Sequence, residues 1–218
     1  MIDKAAWRSM RAFSKGLVAK DLDLRVEGRE LVPASGPVIL AARHYHHLYD
    51  GCAIFATIPR QVQVLVGLDW IERPIALKGM QAACRSAGWP VIFRNSESVD
   101  RAVWLPMLRN ALAESQAILQ AGRILVVFPE GYPTIDPHGS PKQRDDEFLP
   151  FHPGFARIAA DAWKNEISAA VVPVGFHYSR ADKWRVTMRF GEPIDATEST
   201  SADRLTALVE QQVIALSH

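Results

Sequence analysis

Residues 38–55 read VILAARHYHHLYDGCAIF, and the reading of this stretch decides the fold. Its first five residues are all apolar, the pattern of a strand covered on both faces. Arg43, His44, His46, His47 and Asp50 follow at once, and residues 51–57 then continue as a helix ended by Pro59. Titratable groups therefore sit where a strand ends, and in α/β folds that edge is where ligands and reacting groups collect. A histidine followed by an aspartate is also the minimal kit for general-base chemistry, because a carboxylate fixes the imidazole tautomer and stabilises the charge it gains.

Outward from this stretch, residues 24–28, 62–67, 88–93, 124–128, 169–176 and 184–190 read as further strands. Helical patterns lie over 1–20, the second half of 73–87, 99 to just before Gly122, 154–163, and from Ser201 onward. In the third of these, Asp100 stands near the start, with Val103, Met107, Leu108 and Ala111 on the inner face. In the last, Leu205, Leu208, Val209 and Leu216 point inward, with Thr200 or Ser201 as the cap. Strands alternating with helices predict an α/β fold: a single domain with a mostly parallel central sheet flanked by helices. Residues 132–147 are polar and rich in Pro, Gly and Asp, a loop long enough to serve as a lid or a substrate-facing insert.

The first 20 residues place Ile2, Ala6, Met10, Phe13 and Leu17 on one stripe and Lys4, Arg8, Arg11 and Lys15 roughly opposite. Such a helix either packs on the core with a solvated back or lies on an anionic lipid surface. We divide the chain into this amphipathic segment, residues 1–22, and a domain over residues 23–218.

The 218 residues are 48% hydrophobic and 22% charged, enough for one sizeable core, and the formal charge of +1 argues against a nucleic-acid partner. Cys52 and Cys84 lack metal-ligand spacing and fit a reducing compartment. No apolar run reaches the roughly 20 residues needed to span a bilayer, and the charged first segment is unlike a signal peptide, so any membrane contact is expected from one side.

Two more groups could carry chemistry. Arg94 follows an apolar strand and could grip a phosphate through paired hydrogen bonds, or pair with an acid on the surface. Glu130 and Gly131 follow the 124–128 strand as either a binding edge, where glycine lets a ligand approach the backbone, or an ordinary strand-to-loop turn.

Taken in order, ILAARHYHHLYDG, GWPVIFRN, VVFPEG and VVPVGF resemble the motifs of the glycerolipid acyltransferase family typified by the 1-acylglycerol-3-phosphate acyltransferases. The likeness extends to VEGRELVPASGP, GFARIA and GEPI, and so covers most of the chain. It implies an enzyme of phospholipid synthesis that moves a fatty acyl group from acyl-CoA or acyl carrier protein to a lysophospholipid hydroxyl, without a metal or other cofactor. It further implies that His44 is the general base, that Asp50 orients it, and that Arg94, Glu130 and Gly131 bind the acceptor. The implied place is cytoplasmic, on the inner face of the membrane, held there by the first helix.

Two departures from the family pattern stand out. The family has Asn before its histidine and four residues between it and the aspartate, whereas here Arg43 precedes His44 and five residues precede Asp50. Counting back from Asp50 would put Tyr45 in the catalytic place, and a phenol cannot be the base at neutral pH. We therefore expect a local bulge, such as one wide helical turn, that restores the His44–Asp50 contact, with His46 as the fallback base. After VVFPEG the family commonly continues with a small hydroxyl residue, Arg and Ser, but this chain has Tyr132, Pro133 and Thr134. Either Lys142 or Arg144 then supplies charge, or the acceptor differs from lysophosphatidate.

Two other readings compete. One is a metal-dependent hydrolase using His44, His46, His47 and Asp50, with His138, His152 or His177 completing the ligands. The spacing speaks against the metallo-β-lactamase pattern, in which the aspartate follows the second histidine after one residue rather than three. The other is a lipid-binding relative without catalysis.

Overall fold

The structure is a computed structural model that describes residues 4–93, 100–196 and 201–218. Its elements in order are α1 (Lys4–Asp21), β1 (Leu22–Glu27), a 3-10 turn at Arg29–Leu31, β2 (Val38–Ala42), α2 (Tyr49–Thr57), β3 (Val62–Val64), β4 (Val66–Gly67), α3 (Pro74–Ala87), β5 (Val91–Ile92), α4 (Arg101–Gln120), β6 (Ile124–Val127), α5 (Gly154–Lys164), β7 (Ala170–Ser179), β8 (Trp184–Phe190), β9 (Ile194–Asp195) and α6 (Ala202–Leu216).

All five residues of β2 are buried, because the strand is central and its alternate side chains enter two different cores. Val38, Leu40 and Ala42 pack with Trp7 of α1 and Ile54 and Phe55 of α2. Ile39 and Ala41 pack on the other face with Leu119 of α4, Phe155 of α5 and Val209 of α6. The main sheet runs β1-β8-β7-β2-β6-β3, with β9 against β7. The pairs of β2 with β6 and β7, of β3 with β6 and of β1 with β8 are parallel, and β8 and β9 run antiparallel to β7. The α/β architecture expected from the alternation of strands and helices is the one observed.

Several local expectations differ. Residues 62–67 do not form one strand. The Leu65 N–H still reaches the Val126 carbonyl, but that of Val66 turns to Pro90, so the chain leaves the main sheet and β4 pairs with β5 in a small sheet of its own. The inner face of α1 is rotated from the expected stripe: Trp7 and Ser14 are buried, whereas Phe13 is 64% exposed. The cause is Trp7, whose ring meets Phe55 at 5.5 Å and seats the helix on α2. Val103 and Leu208 face outward, and Ile118 and Val213 take the inner positions in their helices. Helix α3 runs from Pro74 at its first turn rather than from its midpoint, and ends at Gly88 with φ of 64°.

Gly175 in β7 marks where the end of α6 crosses the sheet most closely. A β-carbon there would lie 2.5 Å from Leu216. Asp100 caps α4 by accepting from the Ala102 N–H, and Ser201 caps α6 by accepting from Arg204. No helix among the described residues is long and apolar enough to cross a membrane.

Candidate active site

The site begins where β2 leaves the sheet. The Arg43 N–H continues the pairing to β7 by bonding the Val174 carbonyl, and its guanidinium turns inward. There it donates to the carbonyls of Phe176 and Asp145 at 2.9 Å each and lies over the Phe148 ring. Arg43 thus fixes one end of the following segment to the scaffold, and burial lowers its pKa although Glu130 and Asp50 oppose that shift.

Residues 44–47 then run beside the insert. Thr134 N–H bonds the His44 carbonyl, Ile135 N–H bonds that of Tyr45 at 2.7 Å, and His47 N–H returns to Ile135. The fifth residue of the His44–Asp50 gap is taken up here, as backbone bridged to the insert ahead of α2, rather than as the wide helical turn expected. His44 Nδ1 meets Asp50 Oδ2 at 3.1 Å.

Asp50 is fully buried in the first turn of α2, where the helix dipole favours a negative charge. Its Oδ2 also accepts the N–H groups of Tyr45 and His46 at 2.7 and 2.9 Å, and its Oδ1 accepts the Tyr178 hydroxyl at 2.7 Å. Burial and the Asp50 charge push the Tyr178 pKa well up, so it remains a donor. With Nδ1–H directed at the carboxylate, Nε2 of His44 carries the free lone pair, and among the described residues it has no partner. The imidazole stacks on Phe128, with ring centroids 4.2 Å apart.

Glu130 is also fully buried, and both its oxygens are occupied. Oε1 accepts the His44 N–H at 2.8 Å, and Oε2 accepts the Leu149 N–H at 3.0 Å and pairs with Lys142 Nζ at 2.6 Å. Lys142 donates further to the His44 carbonyl at 2.8 Å and to Thr134 Oγ1 at 3.3 Å. The Glu130–Lys142 pair therefore holds both the N–H and the C=O of His44. Burial lowers the Lys142 pKa, and Glu130 pulls it back up. Lys142, considered above as a charge for the ligand, lies inside the protein instead, while Arg144 is exposed and pairs with Asp146. Gly131 takes φ of 78° to turn the chain out of the strand. Arg94 lies outside the described residues.

The neighbouring histidines do other work. His46 Nδ1 accepts the N–H groups of Leu48 and Tyr49 at the start of α2, and burial lowers its pKa to about 4. Only its backbone N–H reaches Asp50, so its ring is not held as the fallback base would be. His47 points its Nδ1 at the Ile135 carbonyl, and the Tyr45 ring is buried in a stack on Tyr178 at 4.3 Å. The His46 and His47 rings stack with centroids 4.7 Å apart, but among the described residues no three His, Cys, Asp or Glu side chains are placed to share a metal ion. Sequence reasoning missed Tyr178 as part of this site, and it named Lys142 as a charge for the ligand rather than as the inward partner of Glu130. The first lies two residues past the strand read over 169–176, which in the structure runs on to Ser179, and the second sits in a loop without periodicity.

A buried carboxylate orienting a half-buried imidazole, with the second ring nitrogen open, can take a proton from an alcohol or hand one to a leaving group. Residues 23–177 match the family described as Acyltransferase. The match spans most of the chain, and the chain belongs to this family: it is an acyltransferase. Among solved structures it is similar to the crystal structure of the 1-acyl-sn-glycerophosphate (LPA) acyltransferase, PlsC, from Thermotoga maritima, with a TM-score of 0.67 and 22% identity over 97% of this chain and 78% of that one. At that identity the likeness is one of fold. Comparison with curated proteins finds no match.

Proposed function

We propose that this enzyme transfers a fatty acyl group from a thioester, acyl-CoA or acyl carrier protein, to a hydroxyl of a lysophospholipid, with 1-acylglycerol-3-phosphate as the first acceptor to test. The observation that carries the reading is the His44–Asp50 contact at 3.1 Å with Nε2 left open. His44 Nε2 removes the acceptor's hydroxyl proton as the oxygen attacks the thioester carbonyl, and Asp50 stabilises the resulting imidazolium. Collapse of the tetrahedral intermediate breaks the C–S bond, and the imidazolium returns the proton to the departing thiolate, giving ester and free thiol. Neither cysteine competes as the nucleophile, since burial raises the pKa of both Cys52 and Cys84.

Arg94 and Gly131 bind the acceptor's phosphate and glycerol part in this reading, and Glu130 acts through His44 as a positioning residue, because its oxygens are taken up internally. The LPA acyltransferase identity of the Thermotoga maritima relative supports a lysophosphatidate-type acceptor. Phe13, exposed on α1, supports docking on the inner face of the membrane.

The test is thiol release from acyl-CoA and from acyl carrier protein, measured against a panel of lysophospholipids for the parent and His44→Ala. Loss of the base should slow turnover by roughly 10²–10⁴-fold. Full turnover in that variant would refute the assignment.

A further inference from the structure

Away from the catalytic edge, α1 and the loop before β3 border an open cavity of about 510 Å³ lined by Trp7, Arg8, Arg11, Lys15, Pro59 and Gln61, together with Ala12. Gln61 precedes β3, which runs parallel to β6 and hence to β2, so the cavity lies at the edge of the sheet opposite His44. The full length of α2, about 14 Å at 1.5 Å per residue, separates the two. This cavity is therefore not part of the site described above.

Three cations face it from one helix at spacings of three and four residues, the arrangement in which like charges on neighbouring turns repel. Among the described residues none of the three is paired with an acid. Arg60, in the same loop, adds to the positive field, but it is occupied by the carbonyls of Pro33, Gly36 and Gly122. The Nε of Arg11 is shut off from water without any hydrogen-bond partner, a state that buried polar groups rarely keep. An anion in the cavity would relieve all of these together: it would neutralise the repulsion, draw the Arg11 guanidinium into a forked hydrogen bond, and accept from the Gln61 amide.

We propose that this cavity is a binding site for a phosphate-bearing anion. A guanidinium fork with flanking point charges matches the several acceptor oxygens of a phosphate, and Trp7 and Pro59 provide an apolar wall for the group that the phosphate carries. The chemistry is shared by a soluble phosphate ester and a phospholipid headgroup. The proposal does not rest on the catalytic reading, because neither His44 nor Asp50 lines the cavity.

The test uses the full chain. Inorganic phosphate is titrated calorimetrically at low salt into the parent, Arg11→Met, and the doubly substituted Arg8→Gln/Lys15→Gln. In parallel, all three are sedimented with vesicles of phosphatidylcholine alone and of equal parts phosphatidylcholine and phosphatidylglycerol. Saturable phosphate binding is expected in the parent, weakened roughly tenfold or more in each variant. A matching fall in binding to the anionic vesicles identifies the headgroup as the source, and unchanged vesicle binding identifies a soluble ester. Absence of saturable binding in the parent, or equal binding in parent and variants, overturns the proposal. Thermal unfolding monitors Arg11→Met, and should that variant not fold, the exposed pair Arg8 and Lys15 decides the question.

Discussion

Lys142→Met tests whether the insert holds His44, the proposed base, in place. In the parent the ammonium pairs with Glu130 at 2.6 Å and donates to the His44 carbonyl at 2.8 Å, with both charged side chains fully buried. Methionine keeps the length and apolar stem but leaves the Glu130 carboxylate uncompensated, and breaking a buried pair in this way costs about 3–5 kcal/mol. Glu130 retains the N–H groups of His44 and Leu149, which puts the expected loss at the lower end, about 3 kcal/mol. Combining Lys142→Met with Glu130→Gln removes the stranded charge, so the double variant should be more stable than the sum of the single losses predicts, by about 2 kcal/mol. Urea unfolding followed by the fluorescence of the six tryptophans measures these losses. With only the Thr134 N–H left on the His44 carbonyl, kcat should also fall roughly tenfold or more while KM changes little, because small misplacements of a reacting group cost rate. A loss below about 1 kcal/mol in the single variant, or strict additivity in the double, would refute the reasoning.

Tyr178→Phe removes the donor to Asp50 Oδ1 inside an apolar shell and should cost about 1–3 kcal/mol of stability, with kcat lowered; parent-like values of both would show that the hydroxyl does nothing for Asp50. His46 tests acid sensitivity. Burial lowers its pKa from 6.5 to about 4, so between those values the unfolded chain binds a proton that the native chain refuses, and stability falls as pH falls. This contribution grows to about 3 kcal/mol at the acid end. His46→Asn keeps an acceptor for the Leu48 and Tyr49 N–H groups without titrating, so its stability should decline less than the parent's on acidification. Parallel stability–pH curves for the two proteins would count against it.

The central strands were legible because they are covered on both faces. β2 and β6 show uninterrupted apolar runs, and such runs admit few other readings. The division of residues 62–67 was not legible, since the break at Leu65 is a change of hydrogen-bonding partner that leaves no mark in side-chain type. The face of α1 misled for a related reason: its small residues carry little periodic signal, and the single large ring of Trp7 decides how it seats. The nearness of His44 to Asp50 could be expected from their order along the chain, but how the longer gap is absorbed depends on Thr134 and Ile135, far away in sequence. The inward pairing of Lys142 was not legible for the same reason, because its partner Glu130 lies across an irregular loop.

The bridge between Ile135 and residues 45–47 bears on how this enzyme could be re-engineered. Chimeras that exchange the 132–147 segment for a shorter loop from a relative would remove the backbone to which residues 44–47 are bonded. Trading that loop alone should give a soluble but slow hybrid. Trading it together with residues 43–50 and Glu130, as a matched cassette, is the swap expected to preserve turnover.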